Sequence, residues 1–600
     1  MSLHNSGNFG SIENGPTILV LGASLMQRPA YEAAQRRGWR AVAVDRDPHS
    51  ISRAHAADFI QADISNHEEV TLLASEYATS HPVHGVFTCG TDFSYTVAVT
   101  AARLGLPGMP PEAALRASNK KLMRDCFHQA GIPSPRHHAL SDLTDESLAA
   151  GATELGFPLV VKPVDNMGAR GIRLVHDKDQ LETAVRLAVE QSRTGRVILE
   201  QLIDGLEYSI DALVFDGRIV IVGVADRHIF FPPYFVEMGH TIPTMLSGSK
   251  YTTLIEGFRS AVRALGIEYG AAKGDVFLSN GEAVVGEIAA RLSGGYMSGW
   301  TFPAAARFEP VEAAMELALG FHPRSLPDSI DDVQPQKTSA ERAWISIPGT
   351  VKEVLGLPSA DTLSNRSVDG AAELPMKDGE VELIACFPRA TPGDSVSFPT
   401  NNVEKCGNII TCSPQREKAV QQAETITRAI VVRLEPGNAR TFDFLFGSSG
   451  HEAPWAFWPT HRENVDCLAD MPRFTTSAVT PSSEITSSHT QHRGNCRTTI
   501  SVGYLPLPHP ERETAPDYNG HTLCEVLDLL RLRYKVAPQV ELTGGQSLPG
   551  LVLGRVFWRA LLKGGLQGAL FIIDTISRDV PSHEELARLT GRLWNDDFAR

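Results

Sequence analysis

Cysteine is scarce: there are eight in 600 residues, and no Cys-x-x-Cys occurs. Cys406 and Cys412 are the closest pair. Such sparse cysteines point to free thiols in a reducing compartment rather than a disulfide framework. Long apolar runs are missing too. No segment approaches 18 consecutive apolar residues, so no membrane-spanning helix is expected. The start of the chain, 1–16, has neither a basic stretch nor an apolar one, and reads as a short disordered leader on a cytoplasmic protein rather than a secretory signal. Positive charge is in deficit, with 55 Lys and Arg against 70 Asp and Glu, a formal charge of -15. That balance speaks against nucleic acid and anionic membranes as partners. What remains is ordinary globular composition, 42% hydrophobic, 21% charged and 7% aromatic, which excludes a wholly disordered or collagenous chain. The length predicts about three to five domains.

Residues 17–22 (TILVLG) form a β-rich apolar run, 28–38 a helix closed by Gly38, and 40–45 (RAVAVD) a second strand ending at Asp45. This βαβ start predicts a parallel α/β sheet. A dinucleotide site would use Asp45 on a ribose but needs Gly-x-Gly-x-x-Gly, and the turn from Gly22 to Gln27 has one glycine of the three.

The middle of the chain carries the chemistry. Lys162 sits near the end of an apolar strand, 157–163, where a charge needs a partner. The loop 165–171 (DNMGARG), with Gly168, Arg170 and Gly171, lies between that strand and the next, so its backbone amides can approach an anion closely. No Walker A loop is present. Glu200 and Glu207 flank a turn; they read either as solvated rim charges or as holders of a nucleoside. Asn280-Gly281 between apolar runs is a strong hairpin signal, with Asp275 and Glu287 on its two arms. A two-residue turn would pair Asp275 with Gly286 and put Glu287 on the opposite face; a three-residue loop with a bulge pairs the two acids directly. Joint binding of one cation therefore requires the bulge. Hard carboxylate ligands suit Mg²⁺ beside phosphate oxygens, and Arg291 shares a face with Glu287 and Ala289 by the period of two.

Taken in order, Lys120, Lys162, the 165–171 loop, Glu200, Glu207, Asp275, Glu287 and Arg291 resemble the ATP-grasp superfamily of carboxylate–amine ligases. The resemblance covers roughly 17–430 and rests on Asn119-Lys120 before a helix, PLVVKP, the glycine loop, ILEQLIDGLEYSID and GDVFLSNGEAVVGEIAARLSGG. It implies α/β and α+β architecture. A Rossmann-like pre-ATP-grasp domain (17–118) is expected before an ATP-grasp domain (119–330) of two α+β subdomains, with a mobile lid at about 155–230. A β-rich C-terminal part (331–445), a linker (446–494) and a C-terminal α/β extension of no recognised family (495–600) follow. By the same resemblance, ATP phosphates would meet Lys120, Lys162, Gly168, Arg170 and Gly171. Adenine would meet Glu200 and the backbone near Leu202, ribose Glu207, and Mg²⁺ (with Mn²⁺ as a substitute) Asp275 and Glu287. Arg291 would stabilise the transferring phosphoryl group. Two departures from the family pattern stand out: Ala289 where Asn is common, which weakens a second Mg²⁺ site, and Asp275 where Glu is common.

The segment from Phe231 to Pro243 (FPPYFVEMGHTIP) is similar to a stretch of amino-acid (dipeptide) ligases in this superfamily. That likeness puts Glu237 and His240 near substrate or phosphate, with His240 in a catalytic role, and has Gly294 and Gly295 shape the acceptor pocket. The implied reaction makes an acyl phosphate from a small carboxylate and ATP, then an amide or peptide bond with an amine, with amino acids as the expected substrates. A homodimer is a further implication. The alternatives are carboxylation through carboxyphosphate, as in the biotin carboxylase-like branch, and NAD-dependent oxidation, which rests on the first βαβ alone. In the rest of the chain, 472–493 is rich in Ser and Thr and reads as a linker. His489, His492, Cys467 and Cys496 match no zinc spacing. Thr522–Tyr534 reads as an amphipathic helix, with apolar runs at 552–562 and 569–576.

Overall fold

The computed structural model describes residues 15–140, 142–327, 329–358, 381–447, 453–457, 474–476, 516–534, 536–538 and 551–577. The potential zinc residues above, most of the Ser/Thr-rich stretch and most of the leader lie outside them.

The first sheet is parallel, in the order Asp58–Gln61, Arg40–Asp45, Thr17–Leu21, Gly85–Phe87. Helices cover it, and its two long strands are accordingly continuous apolar runs, with Ile18, Leu19, Val20 and Val42 fully buried. The helix Arg28–Arg37 stops where Gly38 turns left-handed, at φ 66. The order reverses around Thr17–Leu21, and the loops following this strand and Gly85–Phe87 open into the crevice that such a reversal creates.

Two further sheets enclose the centre. The small one is antiparallel, in the order His137–Ala139, Val197–Gln201, Leu159–Pro163, Arg173–Val175. The large one has eight antiparallel strands: Glu282–Ala289, Gly270–Ser279, Leu206–Phe215, Arg218–Phe230, Val236–Ile242, Thr338–Trp344, Gly407–Ser413 and Glu382–Pro388. The region expected as one lid, 155–230, therefore divides between sheets. Its first part builds the small sheet, whereas Leu206–Phe215 pairs with both Arg218–Phe230 and Gly270–Ser279 in the large one.

The described parts of the last hundred residues have no core of their own. Leu530, Val556, Phe557, Trp558 and Phe571 join one cluster with Trp344, Ile347, Val432 and Phe442. Gln567 bridges the backbones of Ile347 and Val432, and Arg433 is ion-paired with Asp574. The stretch Val556–Ile576 is long and apolar enough to cross a membrane, by length and composition only, but 94% of its apolar window is buried inside the chain. Its polar side chains Lys563, Gln567 and Asp574 find partners inside the chain, as a core position requires.

Candidate active site

A cavity of about 890 Å³ lies between the small sheet, the large sheet and the crevice of the parallel sheet. Nine Lys or Arg and six Asp or Glu side chains line it among the described residues, so a chain of charge -15 concentrates positive charge in this one place. That is what a polyanionic ligand requires.

The floor is the hairpin 270–289. Asn280 and Gly281 form its turn with positive φ at both positions, and Ser279 pairs with Glu282. Left alone, this turn would separate the two acids. The register shifts by one between Val276 and Asp275, with Gly286 as the extra residue, and Asp275 then pairs with Glu287. The bulge is thus present, but four pairs away from a two-residue turn and not in a three-residue loop. Gly286 is needed there because a Cβ would come within 2.8 Å of the Phe277 ring and 3.1 Å of the Asp275 carbonyl oxygen.

Each acid is held by cations. Lys120 Nζ is 3.0 Å from Glu287 Oε1 and donates to the Asn166 carbonyl, 2.9 Å. Burial would raise the pKa of Glu287, but Lys120 and then Lys273 hold it down at about 2. Asp275 meets Arg227 at 2.8 Å and also pairs with Lys273. Arg227 reaches Glu207 and Glu237 as well, at 2.5 and 2.8 Å. Burial raises Glu207, against the pull of Arg227; Glu237 is instead held near 2 by Arg227 and Lys405, against its own burial. Glu237 Oε1 and Arg291 Nε are buried with no hydrogen-bond partner among the described residues. Orphaned polar atoms of both signs on one cavity wall fit a ligand carrying phosphates and a divalent cation.

The roof is the hairpin of Leu159–Pro163 and Arg173–Val175 with its loop. Lys162 reaches the cavity, steadied from behind by Glu200 at 2.7 Å. Val160, Ile172, Leu202 and Phe277 supply an apolar slot between roof and floor.

Three family models match: "ATP-grasp domain" over 155–299, "ATP-grasp N-terminal domain" over 31–108 and "L-amino acid ligase C-terminal domain 2" over 366–435. The crystal structure of L-amino acid ligase from Bacillus licheniformis superposes with a TM-score of 0.59 at 20% identity, covering 70% of this chain and 99% of that one. The chain has the ATP-grasp fold. Among curated relatives, carnosine synthase 1 of Gallus gallus is 27% identical over 336 residues, 52% of this chain and 36% of that protein. Alanine–anticapsin ligase of Bacillus subtilis is 27% identical over 271 residues, 41% of this chain and 55% of that protein. The matches span less than two thirds of the length of these relatives.

Within this ATP-grasp fold, the anticipated residues separate into two groups. Lys162, Gly168, Arg170, Leu202, Glu207, Glu237, Asp275, Glu287, Arg291, Gly294 and Gly295 all line the cavity. Lys120 stands just behind, reaching Glu287, and Gly171 turns the end of the glycine loop with φ 71. Two residues are not brought to the cavity. Glu200 is fully buried between Arg124, at 2.8 Å, and Lys162, so its carboxylate faces two cations and not a base. His240 is fully buried, its Nε2 bonded to Thr301 Oγ1 at 2.9 Å and its Nδ1 3.2 Å from Glu341. This histidine is part of the sheet interior, its Nδ1 3.8 Å from Oε1 of the cavity-lining Glu237. Arg227, Lys273 and Lys405 were not anticipated. Arg227 and Lys273 each stand in sequence beside apolar β runs, and a buried Lys or Arg there was the available signal. Lys405 Nζ donates to the Glu237 carbonyl from 168 residues away, a juxtaposition only the fold reveals.

Proposed function

We propose that the chain is an ATP-dependent ligase that activates a small carboxylate as an acyl phosphate and couples it to an amine. The observation carrying this reading is the bulged pairing of Asp275 with Glu287 on the floor of a cation-rich cavity in an ATP-grasp fold. The apolar slot of Val160, Ile172, Leu202 and Phe277 would take the adenine and Glu207 the ribose. Lys120, Lys162, Arg170 and Arg291 would share the phosphates. Asp275 and Glu287 would hold Mg²⁺, which when bound draws charge off the β- and γ-phosphate oxygens.

The residues here position and neutralise rather than attack, as phosphoryl transfer demands. A carboxylate oxygen of the substrate attacks the γ-phosphorus, the bond to the β–γ bridging oxygen breaks, and ADP leaves. The amine lone pair then attacks the acyl carbon, the carbon–oxygen bond to phosphate breaks, and the amine proton is lost. Arg291 lies next to Gly294 and Gly295 at the crevice of the parallel sheet, where it can face the acyl phosphate. Closing the glycine loop over the cavity would keep water from that intermediate. The likeness to L-amino acid ligase, carnosine synthase and alanine–anticapsin ligase supports amino acids as substrates.

The test measures ADP release against a panel of amino-acid pairs, with and without bicarbonate. ADP formation that requires two amino acids is the expected result. Formation that requires bicarbonate, and no amino-acid pair, would replace this reading with carboxylation through carboxyphosphate.

A further inference from the structure

On the cavity floor Lys273 pairs with Ala289, next to the pair Asp275 and Glu287. All four residues line the cavity, because each pair lies two residues further along both strands and so shares one face. Three of the four positions carry charge and the fourth a methyl group. The Lys273 side chain is 12% exposed, and its ammonium pairs with the Asp275 carboxylate. On its other side the register partner of Lys273 is Asp211, a fully buried acid whose Oδ1 has no hydrogen bond among the described residues. An ammonium this enclosed persists only when anions surround it, so it is a fixed part of the floor.

The neighbouring acids have limited capacity for metal. One Glu287 oxygen is 3.0 Å from Lys120, and Asp275 faces Arg227 and Lys273. What remains suits one hard cation that takes its other ligands from phosphates and water. A second divalent ion next to it would find no ligand at Ala289 and would meet the ammonium of Lys273.

We propose that Lys273 is a built-in cation of the phosphate site that stands in for a second divalent ion, so that a single divalent ion accompanies the bound nucleotide. The proposal rests on the reading of this cavity as an ATP site. The test titrates Mn²⁺ into the full chain with an equal concentration of a non-hydrolysable ATP analogue and reads free Mn²⁺ by electron paramagnetic resonance. One bound Mn²⁺ per chain is expected for the unmodified protein and for Lys273→Arg, and two for Lys273→Met combined with Ala289→Asn. Two equally tight ions in the unmodified protein overturn the proposal and leave the ATP site standing. A single ion in the double variant, still folded by its circular dichroism, also overturns it, since removal of the ammonium then makes no room. Nucleotide-independent Mn²⁺ uptake overturns the ATP-site reading and the proposal together.

Discussion

The two walls of the cavity use carboxylates in opposite ways. On the floor, Glu207, Glu237, Asp275 and Glu287 face the space, and Arg227, Lys273 and Lys120 hold them. In the roof the acid is behind. Glu200 has no exposure, and Lys162 is what reaches the cavity. A carboxylate that faces a ligand can bind a cation there. A carboxylate sealed between two cations can only orient them. Burial, Arg124 and Lys162 decide the case for Glu200: burial alone would raise its pKa, yet the two cations hold it at about 2.

The largest effect should come from breaking the roof's internal unit. Glu200→Gln leaves the buried Arg124, and the cavity-lining Lys162, without their anion, and loss of one partner of a buried pair costs about 3–5 kcal/mol. A lower melting temperature together with weaker ATP binding is the expected outcome. A variant of unchanged stability that fails only to recognise the base would return Glu200 to the adenine site. Next in size is Glu287→Ala on the floor. Its carboxylate faces the cavity, so turnover should fall by about 10²-fold or more, the scale of losing one electrostatic stabiliser of a transition state. Stability should fall as well, by less than in Glu200→Gln, because the partly exposed Glu287 leaves the buried Lys120 with the Asn166 carbonyl as a partner. Full activity in steady-state ADP release would remove Glu287 from the metal site.

A third difference shows in the pH dependence of stability. Asp211 lies beneath the floor, accepting from the Ser293 amide and hydroxyl at 3.0 and 2.7 Å, and burial raises it from 3.8 to about 6. A raised folded-state pKa gives a contribution fully present below about 3.8 that is lost as pH rises through about 6. Glu200, Glu237 and Glu287, held near 2, have the reverse sign: their contribution is present above about 4.5 and disappears only as pH falls towards 2. Between pH 4 and 6 Asp211 should therefore contribute a decline of about 2 kcal/mol at most, with the same sign as the raised Glu207 and against the rise from the other three acids. Asp211→Asn keeps an acceptor for Ser293 and should remove that contribution, so that the urea midpoint climbs more steeply with pH across that range. An equal slope in the variant would mean that Asp211 does not carry this change.

Sequence order alone made much of the floor legible. Asn280-Gly281 announces its turn, the alternation of 287, 289 and 291 announces its inner face, and the need for a bulge follows from the spacing. Which residue bulges was not legible, because it depends on the Phe277 ring crowding Gly286. The roles of Glu200 and Glu207 were not separable either. Both acids flank one turn, and exposure, a three-dimensional property, distinguishes them. His240 differs from its neighbours for a related reason: Phe235 and Glu237 line the cavity, while its own side chain points to Thr301 and Glu341. The C-terminal helix was legible as an apolar run, but its partners Trp344, Ile347 and Phe442 are far away in sequence and no periodicity names them.

The smallest effect sharpens the contrast within the roof itself. Gly168 and Gly171 both have positive φ, 66 and 71, so alanine at either carries a backbone cost of about 1 kcal/mol. Their surroundings differ. A Cβ on Gly168 would meet nothing nearer than Val403, at 4.0 Å, across the cavity mouth. A Cβ on Gly171 would come within 2.9 Å of the Gln191 Cβ and 3.0 Å of the Pro163 ring, both parts of the small sheet's packing. Gly171→Ala must therefore shift the base of the loop, and with it Lys162, one residue from Pro163. Gly168→Ala strains only the tip, whose carbonyl accepts from the Asn402 amide at 2.9 Å. The expected outcome is a several-fold rise in KM for ATP in Gly171→Ala, with a smaller change, chiefly in kcat, for Gly168→Ala. Equal effects on both constants would mean that the loop moves as one rigid piece, and that its base and tip are not separate parts of the roof.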